Sequence, residues 1–351
     1  MSLGDPALTD ALLAEVRALG FPAAAVARAT RLEVEEARLR AWLAEGFHAS
    51  MTWMAETAAA RVDPEAMVPG ALSVLVVAAP YARGDERVGP APGRVARYAR
   101  GRDYHNVLRK RLRKVERGLL ARGFDARWSV DARPVLERAW AQRAGLGFIG
   151  KNCCLIVPGL GSHLFLGTVI TSAPLVAGEP TRERCGRCTA CLEACPTEAF
   201  VAPRRLDARR CVSYLTIEHE GPIEPALRTG LGDRIFGCDV CQDVCPFNAT
   251  RPPSSDVTEP FAPAARFTGE DAPDAEALLG MDDATYGAWA AGSPLARPGR
   301  LRMQRNAALV LGNAGTRRHL PVLRATAKGH PDATVRDAAG WARARIEAEK
   351  S

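Results

Sequence analysis

Residues 185–196, CGRCTACLEACP, decide the fold of this chain. They place four cysteines at the spacing C-x2-C-x2-C-x3-C and follow the last one with a proline. This spacing is typical of bacterial ferredoxins, in which three close thiolates hold one iron–sulfur cluster and the fourth reaches another. A shorter run, CDVCQDVCP, covers residues 238–246 and lacks one cysteine, which Cys211 can supply.

These cysteines divide into two sets of four, one for each of two predicted 4Fe-4S clusters. The first set is Cys185, Cys188, Cys191 and Cys245, and the second is Cys195, Cys211, Cys238 and Cys241. Structural zinc is the alternative, since two C-x2-C pairs also suit a tetrahedral ion, but zinc does not require exchanged fourth ligands. The remaining Cys153 and Cys154 fall in a predicted strand, where we expect buried apolar side chains.

The chain has 351 residues, of which 47% are hydrophobic, so it can bury the cores of two or three domains. Its first residues lack a signal peptide or twin-arginine pattern, and its longest apolar stretch, residues 72–79, is too short to span a bilayer. We therefore expect a cytoplasmic protein with reduced thiols and no membrane association. No dimer seam is evident, so a monomer is expected.

The net charge is +7, and part of this excess lies near the end of the chain. Residues 297–350 contain twelve Lys or Arg against four acids. Such a tail favours a polyanionic partner, and Arg302 and Arg305 are candidates for phosphate contacts. The alternative is a basic helical surface that only meets solvent.

Hydrophobic periodicity predicts an α/β layer domain in the first half. Residues 6–60 are predicted to be mostly helical, and residues 73–80 to form a buried strand. The other predicted elements are a basic amphipathic helix at 104–122, a helix at 134–144, and strands at 127–131, 153–157 and 163–171.

The amino-acid composition changes near residue 181, after which cysteines, prolines and predicted turns predominate. A Pro-, Ser- and Asp-rich linker covers 252–273, and helices are predicted at 301–313, 318–329 and 333–349. These last helices resemble a HEAT-like repeat, which is too short to stand alone and must pack on the rest of the protein. The predicted domains are residues 1–176, 177–250 and 251–351.

Neither a glycine-rich dinucleotide fingerprint nor a P-loop is present in the sequence. Three other segments stand out: ARYARGRDYH at 96–105, VDARPVLERAW at 130–140 and GLGFIGKN at 145–152. Together with the two cysteine runs and the basic tail, they resemble the epoxyqueuosine reductase family over nearly the whole chain.

The resemblance implies a cobalamin-binding α/β domain, an inserted ferredoxin-like two-cluster domain and a C-terminal HEAT-like tRNA-binding region. It implies an oxidoreductase of queuosine biosynthesis and tRNA processing. Such an enzyme reduces epoxyqueuosine to queuosine in the anticodon loop, at a cobalt centre fed by the two clusters. An external donor such as a flavodoxin or ferredoxin would supply the electrons.

The resemblance also implies roles for single residues. Asp131 would be the catalytic proton donor, so burial should raise its pKa; its alternative role is a helix N-cap. The positions that match cobalamin contacts are Arg61, Ala96, Asp131, Leu155, Leu166, Ser213, Cys238 and Asp239. Arg61 could instead form a surface salt bridge. His219 and Gly221 match positions near the bound tRNA.

Two rival functions remain at this point. A corrinoid reductive dehalogenase shares the cofactors, but it is typically exported with a twin-arginine signal and has no use for a basic tail. A non-catalytic iron–sulfur electron carrier explains the cysteines but leaves residues 130–140 and 145–152 without a role.

Overall fold

The computed structural model describes residues 4–81, 93–249, 259–264 and 274–348. Most of the predicted linker, residues 252–258 and 265–273, lies outside these ranges, as do Glu349 and Lys350. The described strands are β1 (Ala23–Arg28), β2 (Ser73–Pro80), β3 (Arg94–Val95), β4 (Ala126–Ser129), β5 (Phe148–Ile149), β6 (Leu155–Ile156), β7 (Leu164–Thr171), β8 (Phe200–Ala202), β9 (Arg205–Leu206) and β10 (Arg234–Phe236).

The helices cover both ends of the chain. In the first half they are α1 (Pro6–Ala18), α2 (Glu33–Ala44), α3 (Trp53–Glu56), α4 (Ala58–Val62), α5 (Tyr104–Ala121) and α6 (Glu137–Arg143). In the second half they are α7 (Ala190–Glu193), α8 (Val212–Ile217), α9 (Pro225–Arg228), α10 (Val240–Asp243), α11 (Ala275–Gly280), α12 (Asp283–Ala290), α13 (Gly299–Ala314), α14 (Leu320–Gly329) and α15 (Ala333–Ala348). Short 3-10 turns join several of them.

A four-stranded antiparallel sheet in the order β1-β2-β7-β4 organises the first half. Every residue of β2 is buried, as its continuous apolar run predicts. Its side chains alternate between two cores: Leu75 and Val77 face one, and Val74 and Val76 face the other. Helices α1 and α5 cover the first face, and α2 and α6 contribute to the core on the second.

Strand β1 corrects the expectation that residues 6–60 are mostly helical. Its sequence, AAAVAR, has no strong strand preference of its own, and alanine favours helices. The segment becomes a strand because it pairs along its whole length with β2, from Ala23 opposite Ala78 to Arg28 opposite Ser73. Tertiary pairing overrides local propensity here.

The predicted helices near the end of the chain are confirmed as α13, α14 and α15. Helix α13 is buried along most of its length and packs against α11 and α15, while α14 packs against α15. The same core includes Leu215 of α8 and Phe236 of β10. The tail therefore does lean on the cysteine-rich segment, as the sequence requires. No described helix is both long and apolar enough to cross a membrane.

The contact between α13 and α15 depends on Gly312. A Cβ atom built there would lie 2.6 Å from Trp341 Cζ3 and 2.8 Å from the backbone Cα of Ala342. We expect Gly312→Ala to lower the free energy of unfolding by about 1–3 kcal/mol through overpacking. Gly340 lies in α15 with open space around it. Gly340→Ala should instead raise the free energy of unfolding by about 0.5–1 kcal/mol, because alanine favours the helix more than glycine does. Melting temperatures of both variants test this, and equal shifts would contradict the packing argument.

Candidate functional site

The first set of cluster cysteines lines one small cavity. The lining residues are Lys151, Asn152, Ile156, Cys185, Cys188, Ala190, Cys191, Cys245, Pro246 and Phe247. The fold thus brings Cys245 to the three cysteines of the other run, as the exchanged ligand pattern requires. The Lys151 ammonium donates to the carbonyls of Gly186 and Cys188, at 2.8 and 3.0 Å, and fixes the loop between the ligands.

The second set also comes together in the structure. Burial raises the pKa of Cys211, and the neighbouring Cys195 thiol adds to the rise. Burial likewise raises the pKa of Cys238 to about 11, with a contribution from Cys211. Cys241 interacts with both Cys211 and Cys238. Among the described residues, no three His, Cys, Asp or Glu side chains converge on a single ion, whereas the four thiolates of a cubane bind separate irons.

Cys154 corrects the expectation of an apolar filler. It lies in the turn before β6, not in the strand, and interaction with the thiol of Cys241, a member of the second set, lowers the pKa of Cys154. Cys153, at a φ of +65°, is half-buried in the same turn. Both leftover cysteines therefore lie close to the second set, although only Cys154 contacts one of its ligands.

A cleft of about 220 Å³ lies at the end of the sheet where α5 and α6 begin. Its lining is Tyr81, Tyr98, Tyr104, Asp131, Glu137, Arg138, Leu164, Phe165 and Leu166. The rings of Tyr104 and Phe165 stack at 4.3 Å between centroids. Flat apolar walls with two carboxyl groups suit a planar ligand that needs proton transfer.

Asp131 stands on the loop after β4 in a left-handed backbone conformation, with φ of +50°. Its carboxylate accepts a hydrogen bond of 2.6 Å from the Tyr104 hydroxyl, and His105 Nε2 lies 3.9 Å away. The side chain is 64% exposed, so the expectation that Asp131 is buried is wrong. The N-cap alternative is wrong as well, because α6 begins after Leu136 and has no side-chain cap.

Glu137 is the half-buried carboxyl group of this cleft, and sequence reasoning missed it. Its Oε1 accepts the backbone N–H of Asp131 at 3.1 Å. Burial raises the pKa of Glu137 to about 7, and the nearby Asp131 charge adds to the rise. An acid in the first turn of a helix usually only complements the helix dipole, so its sequence position gave no signal of a buried role.

The remaining candidates lie around the same cleft. Arg61 is half-buried, its Nε donates to Thr57 Oγ1 at 2.9 Å, and the charges of Asp131 and Glu137 act on it. Among the residues that the structure describes, it forms no salt bridge of the kind offered as its alternative. Leu166 lines the cleft, and Leu155 is buried in the adjoining core.

Asp239 and Ala96 form the other side of the site. The backbone N–H of Ala96 donates to the Phe236 carbonyl, and that of Arg97 donates to Asp239 Oδ2, both at 2.8 Å. Burial raises the pKa of Asp239 to about 6. Burial also raises the pKa of Tyr98, with further contributions from Asp131 and Asp239, so the two acids flank one ring.

Helix α8 links the second cysteine set to the candidate tRNA loop. It begins at Cys211, where the backbone N–H groups of Ser213 and Tyr214 point at the sulfur and favour the thiolate. It ends at the turn that carries His219 and Gly221, where Gly221 has φ of +84°. His219 Nε2 lies 3.0 Å from the Pro222 carbonyl.

The expectation that Arg305 contacts phosphate is wrong, whereas that for Arg302, whose side chain is partly exposed, stays a prediction. Arg305 is only 1% exposed, and its guanidinium donates to the carbonyls of Leu215, His219 and Gly221 at 2.6–2.9 Å. Arg302 donates to the Glu218 carbonyl at 3.1 Å. These side chains hold the end of α8 and the following turn, so reversing their charge would disrupt the fold rather than report on a surface contact.

Comparisons with known proteins agree with this geometry. The family model described as "4Fe-4S double cluster binding domain" matches residues 184–248, and "Epoxyqueuosine reductase QueG, DUF1730" matches residues 61–132. The epoxyqueuosine reductase of Xanthomonas campestris is 44% identical over 89% of this chain and 88% of its own length. That of Pseudomonas aeruginosa is 42% identical over 97% of this chain and 96% of its own.

Solved structures of epoxyqueuosine reductases also match the fold of this chain. A crystal structure of epoxyqueuosine reductase with an epoxyqueuosine-modified tRNA-Tyr stem loop matches with a TM-score of 0.85 and 30% identity. The match covers 97% of this chain and 90% of the other.

The division of the cysteines into two sets predicts different iron contents for two cysteine variants. Cys245→Ala removes the exchanged ligand of the first set, so about half of the bound iron should be lost after anaerobic reconstitution. Cys153→Ala is the matched control, since Cys153 lies outside both predicted ligand sets, and this variant should keep the wild-type iron content. Iron analysis and cluster absorbance measure both. Full iron in the Cys245 variant would show that the ligand assignment is wrong.

Glu137 also predicts a pH-dependent stability. The folded-state pKa of about 7 exceeds that of an unfolded glutamate, so the folded state binds more protons between about pH 4.5 and 7, and wild-type stability falls as pH rises across this window. The Glu137→Gln variant should not lose stability as pH rises. Its free energy of unfolding, relative to that of the wild type, should therefore increase by up to about 3 kcal/mol across this window. Denaturation at pH 5 and pH 8 tests this; a constant gap between the two proteins would contradict it.

Proposed function

This chain belongs to the epoxyqueuosine reductase family, and from that premise we propose that it reduces epoxyqueuosine to queuosine in the anticodon loop of tRNA. It is an oxidoreductase. The observation that carries the proposal is the aromatic cleft lined by Asp131 and Glu137. It occurs in a chain that also matches a two-cluster domain, and Arg138 of its lining donates to the Cys153 carbonyl. Single-stranded loops allow a base to be turned out into such a cleft.

The reaction defines what the cleft must supply. An epoxide that becomes an alkene loses its oxygen as water, which consumes two electrons and two protons. The 4Fe-4S clusters, when bound, supply electrons one at a time. The protein must therefore provide a reduction site and two proton deliveries to the departing oxygen.

We assign the first proton to Asp131. Its carboxyl group is exposed to the cleft and is oriented by the Tyr104 hydroxyl at 2.6 Å, so it can reach a substrate oxygen. Partial burial raises the pKa of Glu137 to about 7, so a large share of this carboxyl group is protonated near neutral pH. Its Oε1 accepts the backbone N–H of Asp131 and so helps to hold the loop that carries the donor.

Cobalamin is the proposed second cofactor. The residues that would hold it fit a large planar ring with amide side chains: Leu166 and the tyrosine rings offer flat apolar surfaces, while Arg61, Asp239 and the Ala96 segment offer polar groups. Ser213 and Cys238 connect this region to the second cysteine set. When bound, cobalamin supplies a cobalt centre able to reduce a carbon–oxygen bond.

The wider organisation follows from the same proposal. Residues 1–176 would form the cobalamin domain, 177–250 the ferredoxin-like domain, and 251–351 the linker and HEAT-like tRNA-binding region. The second cluster would lie nearest the cobalamin, because Cys211 and Ser213 share one helix. A flavodoxin or ferredoxin would feed the first cluster in the cytoplasm, and the enzyme would act as a monomer.

The activity test uses tRNA from a strain that lacks its own epoxyqueuosine reductase. Supplying this chain should convert the accumulated epoxyqueuosine to queuosine, as measured by nucleoside mass spectrometry. Corrinoid absorbance in the anaerobically purified protein is the parallel test of the cofactor. Clusters without corrinoid or conversion would instead identify an electron carrier.

Asp131→Asn tests the donor. The amide keeps the size of the side chain but cannot release a proton to the oxygen, so turnover should fall by about 10²–10⁴ while iron content stays unchanged. Asp10→Asn, an exposed change on α1, is the control and should keep full activity. Wild-type turnover in the Asp131 variant would remove Asp131 from the mechanism.

A further inference from the structure

Helix α5 carries a basic surface that no part of the proposed mechanism uses. Its outward side presents a run of cationic side chains, here called the α5 basic stripe: Arg109, Lys110, Arg113, Lys114 and Arg117, all exposed. Their spacing of one, three or four residues keeps them on one face of the helix. The helix has one acid, Glu116, which is buried and faces Arg127.

The apolar side of α5 is already occupied. Val107, Leu108, Leu112, Val115 and Leu119 are buried in the core against the sheet. A membrane-binding amphipathic helix would need this side free to insert among lipids. Only the charged side is available to a partner, which must therefore be recognised through its negative charge.

The basic residues of the stripe and those of the tail differ in whether they are buried or form ion pairs. In the tail, Arg305 is buried, Arg297 pairs with Glu218, and Arg324 pairs with Glu347. In the stripe, Lys110, Arg113, Lys114 and Arg117 form no ion pair with the residues that the structure describes, and Arg109 bonds only the neutral Asn106. Between these two segments, as far as the structure describes them, unpaired positive charge is therefore denser on α5 than on the tail.

The position of the stripe points to its partner. Helix α5 starts at the cleft, where Tyr104 lines the wall and bonds Asp131. Its N-cap, Asp103, also donates its backbone N–H to Gly292 of the tail segment at 2.9 Å. From there the helix continues for 18 residues, or about 27 Å. A partner with one base in the cleft would have its backbone along this path.

We infer that the α5 basic stripe binds the phosphate backbone of the anticodon stem of the substrate tRNA. The inference rests on the proposed function, since a tRNA loop must occupy the cleft. Cations in successive turns of one helix meet successive phosphates without reading sequence, which suits an enzyme that must hold several tRNAs. An acidic electron-donor protein is the competing occupant, but it needs to approach the cysteine segment, whereas α5 packs on α1, β4 and β7.

The test compares two variants with a matched control. Arg113→Glu/Lys114→Glu/Arg117→Glu reverses the middle and end of the stripe, and the corresponding triple Gln variant only removes charge. The control, Arg17→Glu/Arg38→Glu, changes exposed arginines on α1 and α2. Binding of a synthetic anticodon stem-loop RNA is followed by fluorescence anisotropy between 50 and 300 mM salt.

The Glu variant should bind at least about tenfold more weakly at low salt, and the slope of log K against log salt should fall by about 2 to 3. The RNA affinity of the Gln variant should lie between those of the Glu variant and the wild type. Iron content and melting temperature should be unchanged in both variants. RNA binding equal to that of the control would overturn the stripe assignment and leave the proposed function intact. If the wild type itself fails to bind the stem-loop, the proposed function fails first.

A second measurement separates the competing partner. Reduction of the clusters by an acidic flavodoxin, followed by absorbance, should proceed at the wild-type rate in the Glu variant. A slowed reduction with unchanged RNA binding would assign the stripe to the electron donor and refute the inference.

Discussion

The buried guanidinium of Arg305 is the interaction on which the relation between the parts of this protein depends. A helix ends with carbonyl groups that lack partners, and α8 ends in the protein interior. Arg305 donates to Leu215, His219 and Gly221, and Asn306 donates to Thr216 and Ile235. The positive charge also lies at the negative end of the helix dipole. A tail helix thus completes a helix of the cluster segment.

This arrangement gives α8 two functional ends. Its first residues point N–H groups at the Cys211 sulfur, and its last residues lead into the turn of His219 and Gly221. Because α8 is only six residues long, a cluster ligand and a candidate RNA-contacting turn are held within about 10 Å along one axis. A displacement of α13 would therefore shift both ends of α8.

The acid pair of the cleft shows how one fold separates the roles of two similar groups. Asp131 and Glu137 lie six positions apart and meet through a backbone hydrogen bond of 3.1 Å. Asp131 is exposed on a loop in an unusual backbone conformation, whereas Glu137 is half-buried at the start of α6. Burial disfavours the charged form of Glu137, so this carboxyl group holds a proton more readily than an exposed glutamate does. The proposed function gives the substrate contact to Asp131.

The sequence by itself determined the two cysteine sets, the central strand of residues 73–80 and the tail helices, because each depends on local spacing or periodicity. The residue pattern also predicted the basic helix at residues 104–122, whereas Asp131 was singled out only through the family resemblance. Only the tertiary structure made a strand of residues 23–28, since that strand exists through its pairing with β2. The structure also decided which charges are free. Arg305 and Arg113 look alike in the sequence, but one is surrounded by carbonyl groups and the other by solvent. Burial and partners are set by distant parts of the chain, so they could not be predicted from local pattern.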